Sequence, residues 1–159
     1  FLSKTCNFYF GTDTGIVDIP KIFVKPLSHI GLDILMIYSI ASHQPMPFIP
    51  KIALNKLNGE KIKLRDYLKY DLIRVRSTSY DFNKNNKATF VDNSSDEIKN
   101  LAIECHKKYN NSLVLSNEDQ ERQDLFWRIV RQTYPNNFNP DVKTLISPYF
   151  LKKHEYIIN

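Results

Sequence analysis

Apolar side chains fall along this chain in short clusters separated by small or polar residues, the pattern of alternating strands and helices. Phe8, Tyr9 and Phe10 form a compact run that stops at Gly11-Thr12-Asp13-Thr14-Gly15. Ile16, Val17, Ile19, Ile22 and Phe23 follow at helical spacing and end near Lys25-Pro26. The pattern predicts a strand, a tight turn of small residues and a short helix over residues 7–26. Residues 27–50 have a dense apolar centre and then Pro45, Pro47 and Pro50. The prolines require extended chain. The centre reads as a strand plus a buried helix, which periodicity alone does not separate. Beyond Pro50-Lys51, Ile52, Leu54 and Leu57 lead to a turn at Asn58-Gly59.

Leu64, Tyr67, Leu68 and Leu72 predict an amphipathic helix over 62–76, followed by a polar, exposed and mobile loop over 77–87. Ala88-Thr89-Phe90-Val91 reads as a short strand. Ser94 and Glu97 have the spacing of a capping box, and Ile98, Leu101, Ala102 and Cys105 continue at helical intervals to Asn110-Asn111. A second start at Ser116 opens a helix that presents Leu125, Phe126, Ile129 and Val130 and stops before Pro135. Trp127 lies off that stripe and is expected to face another domain, leaving apolar surface around it exposed. A short apolar-basic tail closes the chain.

The turn at 11–15 carries the clearest chemistry. Backbone N–H groups at a helix N-terminus favour an anion. Gly11 and Gly15 can take positive φ and leave room for a ligand to approach the backbone. Thr12 and Thr14 add hydroxyls, and Asp13 has the right chemistry for a helix cap. A phosphate-bearing ligand suits such a turn; the alternative is a turn that only caps its helix. No Gly-Lys-Ser/Thr follows, and the glycine spacing is not that of a dinucleotide fingerprint. Asp18, one helical turn on, suits a ribose or sugar hydroxyl, or is simply a first-turn acid. His29 falls where a second strand end would face a cleft, or is structural, and Lys51 is either a cation for the ligand or a solvated lysine. Glu97 and Glu104 read as a capping residue and a solvated helix face.

A length of 159 residues and 42% hydrophobic content suit one domain with a sizeable core. The chain begins at Phe1 with a strand almost at once, which leads us to expect the C-terminal part of a longer protein. No apolar stretch approaches the roughly 20 residues that span a bilayer. Cys6 and Cys105 make no disulfide framework, and His29, His43, His106 and His154 are scattered, so no metal site is expected. The two cysteines suit a reducing cytosol. A net charge of +5 raises the question of nucleic acid. The lysines are spread along the chain and no RNA-type aromatic motif occurs, so nucleic acid is not the expected partner. An anionic donor or an anionic membrane surface fits the charge as well.

The order of segments FYFGTDTG (8–15), FIPK (48–51), VDNSSDEIKNLAIE (91–104), LSNEDQERQDLFW (115–127) and SPYFLKK (147–153) resembles a sequence-defined family of bacterial glycosyltransferases. The resemblance runs over nearly the whole chain. It implies an α/β, Rossmann-like three-layer domain with a mainly parallel sheet, the C-terminal half of a GT-B-type fold, over residues 1–159. It further implies transfer of a sugar from a nucleotide-sugar donor to a glycan or polysaccharide acceptor. The donor diphosphate would lie on Gly11, Thr12, Asp13, Thr14 and Gly15, with Asp18, His29 and Lys51 as further donor contacts. No cofactor or metal is implied. The acceptor side and the general base would come from a missing N-terminal domain, so this chain alone would be inactive. The setting would be cytoplasmic, with peripheral contact at the inner face of the membrane. A more distant likeness to heptosyltransferases rests on Asp13, Thr14 and Gly15. Those enzymes carry a His three residues after the Gly, where this chain has Asp18, so a His-dependent role does not carry over. The alternative from the residues themselves is a non-catalytic Rossmann-like module that binds an anion or a partner.

Overall fold

The computed structural model describes residues 2–12, 15–32, 46–67, 69–70, 72, 87–133 and 144–159. A helical turn, α1 (Leu2–Thr5), leads to β1 (Tyr9–Gly11). A 3-10 turn at Gly15–Val17 runs into α2 (Asp18–Ile22). Four strands follow among the described residues: β2 (Leu27–Leu32), β3 (Ile49–Pro50), β4 (Ile52–Asn55) and β5 (Ala88–Val91). Three helices complete this part of the chain: α3 (Ser95–Tyr109), α4 (Asn117–Thr133) and α5 (Pro148–Lys153).

β1, β2 and β3 form a parallel sheet in that order, with Gly11 opposite His29 and Leu32 opposite Pro50. Phe48, just before β3, bridges in the same direction to Ile146: Phe48 N–H donates to Leu145 O at 2.9 Å, and Ser147 N–H donates to Phe48 O at 2.8 Å. The N–H and C=O of Ile146 are taken by the buried amide of Gln123. Its Nε2 donates to Ile146 O at 2.6 Å and its Oε1 accepts from Ile146 N–H at 3.2 Å. β4 and β5 are a separate antiparallel pair, with Ile52 opposite Val91. The chain is therefore mixed α/β, with a three-stranded parallel sheet and a second, antiparallel ladder that the sequence pattern does not announce. Pro50 marks the switch. It has no N–H with which to lengthen β3, so the chain bends at Lys51, whose N–H donates to Leu32 O at 3.2 Å, and continues as β4.

The core follows the periodicities closely. α3 turns Leu101 and Cys105 inward, and the Cys105 thiol donates to Ser28 Oγ on β2 at 3.1 Å. Burial pushes that thiol up to about 12, which leaves it protonated and unreactive. Phe126, Ile129 and Val130 of α4 are buried as their spacing indicates. Trp127 is buried too, contrary to the expectation that it faces another domain. It packs edge-on against Phe126 (centroids 5.1 Å apart) and tilted against Phe48 at 6.3 Å. α4 is covered on two sides, by the sheet at Phe48 and by α5, so its apolar face is wider than one stripe.

Leu64, Tyr67 and Leu72 are buried at the expected spacing, but Leu64–Asp66 forms a 3-10 turn rather than the start of an α-helix. Residues 33–45, 71 and 73–86 lie outside the described residues, and with them the expected apolar centre, the end of the 62–76 helix and most of the expected loop. The helix after the small-residue turn departs most from its pattern. Only Val17 and Pro20 point inward, while Ile16, Ile19, Ile22 and Phe23 are exposed. It closes in a Schellman geometry, with Val24 N–H on Lys21 O at 2.9 Å and Lys25 N–H on Pro20 O at 3.0 Å. Val24 occupies the left-handed position, φ +53°, where glycine is usual. Among the described residues no helix is long and apolar enough to cross a membrane.

Candidate functional site

The parallel strands deliver their carboxyl ends to one edge, the edge at which open α/β sheets bind ligands. Thr12 leaves β1 there, Leu32 ends β2 and Lys51 follows β3.

At the first strand end, Gly11 is a strand residue and Gly15 opens the 3-10 turn. The positive-φ glycines among the described residues are Gly31 and Gly59, not these two. Gly11 is small for a different reason. The Tyr9 ring folds over it, so a Cβ on Gly11 would stand 2.6 Å from Tyr9 Oη, and that hydroxyl donates to Thr12 O at 3.1 Å. Among the described residues, its chain neighbours aside, a Cβ on Gly15 would meet no atom within 4 Å. Asp13 and Thr14 lie outside the described residues. Asp18 starts α2, is exposed, and accepts from Lys21 Nζ at 3.1 Å.

His29 is not at a strand end. It sits inside β2, level with Gly11 and fully buried, because β2 runs on to Leu32. Lys51 does stand at the edge, and its Nζ donates to Asp92 Oδ1 at 2.7 Å. The hydrogen bond and charge of that ammonium hold Asp92 below its ordinary value.

Gly31 controls where Lys51 lies. Its φ is +63° and the β2–β3 register shifts beside it, between Ile30 and Leu32. A Cβ there would meet Lys51 Cε at 3.2 Å and Asn93 Oδ1 at 3.5 Å. The lysine stem thus lies against the bare glycine. Asn93 Nδ2 donates to Pro50 O at 2.9 Å and draws the start of α3 to the same edge.

There the capping box forms as its spacing indicates. Glu97 N–H donates to Ser94 Oγ at 3.3 Å, and Ser94 N–H donates to Glu97 Oε2 at 2.9 Å. The other oxygen, Oε1, takes the Lys153 ammonium at 3.0 Å and His154 Nε2 at 2.7 Å, both from the end of α5. Burial alone would raise the Glu97 carboxyl. The hydrogen bonds from His154, Ser94 N–H and Lys153 outweigh it and hold it at about 2. Glu97 is therefore a buried junction as well as a cap. Glu104 is not on a solvated face either: it is buried where α3 meets α5, accepts from Tyr149 N–H at 2.9 Å, and is pushed up by that burial.

Three of the sequence segments, FIPK, VDNSSDEIKNLAIE and SPYFLKK, thus meet here, through Lys51 and Asn93 beside Gly31 and through Lys153 on Glu97. Strand spacing and rise put Gly11 and Lys51, with β2 between them, roughly 14 Å apart. Gly31, Asn93, Lys153 and His154 escape sequence reasoning. The run Lys152-Lys153-His154 hints at a polar contact, but nothing in its spacing points to a carboxylate 57 positions away. No group of three or more His, Cys, Asp or Glu suited to a metal ion occurs among the described residues. Compared with protein-family models, with curated proteins and with solved structures, the chain gives no match.

Proposed function

We propose that this chain is the nucleotide-sugar-binding half of a GT-B-type glycosyltransferase with a Rossmann-like architecture, and that the 11–15 turn holds the donor diphosphate without a metal. One observation carries the reading. Gly11 ends a strand at the carboxyl edge of the parallel sheet, Gly15 opens the helical segment that follows, and among the described residues no atom beyond its chain neighbours stands within 4 Å of a Cβ at Gly15. The neighbouring helix start at α3 is already neutralised by Glu97, so an anion at this edge is better served by the turn. Lys51 lies beyond β2 at a span that suits the far end of a nucleotide sugar rather than the same diphosphate. Its ammonium is shared with exposed Asp92, which a ligand phosphate would replace. Backbone amides at the turn neutralise a leaving nucleoside diphosphate by fixed partial charge, and the lysine serves the far end of the donor. The general base and the acceptor contacts belong to a second domain of the same protein.

Calorimetric titration with nucleoside diphosphates, with and without chelator, tests the reading. Gly15→Val is accommodated by the protein itself, so it should abolish binding while the melting temperature stays within a degree or two. Thr14→Ala should cost about 1 kcal/mol of binding for one hydroxyl contact. If Gly15→Val binds as wild type does, the turn is only a helix start. If chelator abolishes binding, the metal-free mechanism fails.

A further inference from the structure

The short helix that follows the turn is apolar on both sides. Val17 and Pro20 pack inward, while Ile16, Ile19, Ile22 and Phe23 face outward with exposures of 42–75%. Leu2 on α1, which packs against α2, is 80% exposed and extends the patch. A surface helix ordinarily turns polar residues to water, and an outward apolar stripe on two adjoining elements marks a contact surface. Val24 adds an independent sign. It is more than half exposed, and it holds an apolar, β-branched side chain at a left-handed position that glycine would occupy without strain.

Charge selects the occupant. Lys4 lies on α1, Lys21 on α2 and Lys25 just beyond it, and Asp18 is the one carboxylate among the described residues of this segment. Counting Asp13 of the turn as well, the stretch carries three lysines against two carboxylates; Asp18 is paired with Lys21, and among the described residues Lys4 and Lys25 have no carboxylate partner. A second copy in a two-fold contact would bring like lysines together. An anionic bilayer complements both features. Apolar side chains enter the boundary between headgroups and acyl chains, and lysine stems extend to the phosphates. We propose that α1 and the 15–25 segment dock the chain on an anionic membrane surface. The proposal stands on these residues and does not depend on the donor-site reading.

Co-sedimentation of the chain with vesicles tests it. The chain should bind phosphatidylglycerol–phosphatidylcholine vesicles, release with salt, and bind pure phosphatidylcholine weakly. The exposed double substitution Ile19→Ser/Ile22→Ser should remove binding without changing the circular dichroism spectrum. Lys25→Gln should weaken binding about fivefold. Val24→Gly is the sharpest variant, because it should raise the melting temperature while lowering vesicle affinity. The proposal is overturned if the folded wild-type chain stays in the supernatant, or if the serine variant sediments as well as wild type. It is equally overturned if light scattering finds a dimer that the serine variant disperses, which would assign the patch to a second copy.

Discussion

Glu97 meets donors on both oxygens, from Ser94 N–H and Asn93 on one side and from His154 and Lys153 on the other. Removing its charge leaves buried donors facing a neutral amide. Glu97→Gln should therefore destabilise the fold by about 3 kcal/mol, read as a lower urea midpoint at neutral pH. The sign with pH is fixed by the depressed ionisation. The unfolded carboxyl binds its proton near 4.5 and the folded one only near 2. The stabilisation is whole above pH 4.5 and is lost as pH falls towards 2. The gap in stability between wild type and Glu97→Gln should close as pH falls over that interval. Gly31 offers a second test at this scale. Its left-handed φ and the nearby Lys51 stem leave no easy room for a methyl group. Gly31→Ala should cost about 1–2 kcal/mol, and should disturb Lys51 without touching the turn at 11–15.

Among the elements, α3 depends most on its first turn. Ser94→Ala removes the acceptor for Glu97 N–H and should lower stability by about 1 kcal/mol in a denaturation experiment. This cap was legible in the sequence because it is local: four residues contain both halves of the interaction. The same holds for the strand at 88–91, for the inward faces of α3 and α4, and for the strand and helix on either side of the 11–15 turn. What the sequence hid is made by distant pairings. β4 and β5 meet across more than thirty residues, His29 is buried by the length of β2, and His154 finds Glu97 across most of the second half of the chain. Helical spacing also says which residues share a face but not whether that face turns inward. α2 shows this, since its longest apolar stripe points out. Of the candidate site, the strand end at Gly11 was legible from its apolar run, whereas the place of Lys51 at the edge depends on the pairing of β2 with β3. Gly31 was not, since a lone glycine in an apolar run does not disclose the side chain lying against it.

For the molecule as a whole, the parallel sheet is closed by a side chain on one side. Beyond Phe48 and Ile146, among the described residues, the backbone of Ile146 faces the Gln123 amide and no further strand. Gln123→Ala would strand a buried N–H and a buried C=O. It should cost roughly 2–4 kcal/mol, seen as a lower melting temperature. The consequence reaches beyond stability. An unpaired strand margin is a template on which another chain can polymerise, and here one side chain occupies the two groups such a chain would need. The amide acts as a stopper: it completes the ladder's chemistry without supplying a residue that could itself be extended. Heated Gln123→Ala should accordingly form thioflavin-binding aggregates sooner than a variant equally destabilised elsewhere, such as Glu97→Gln. Equal aggregation of the two would mean that the margin is guarded by stability alone.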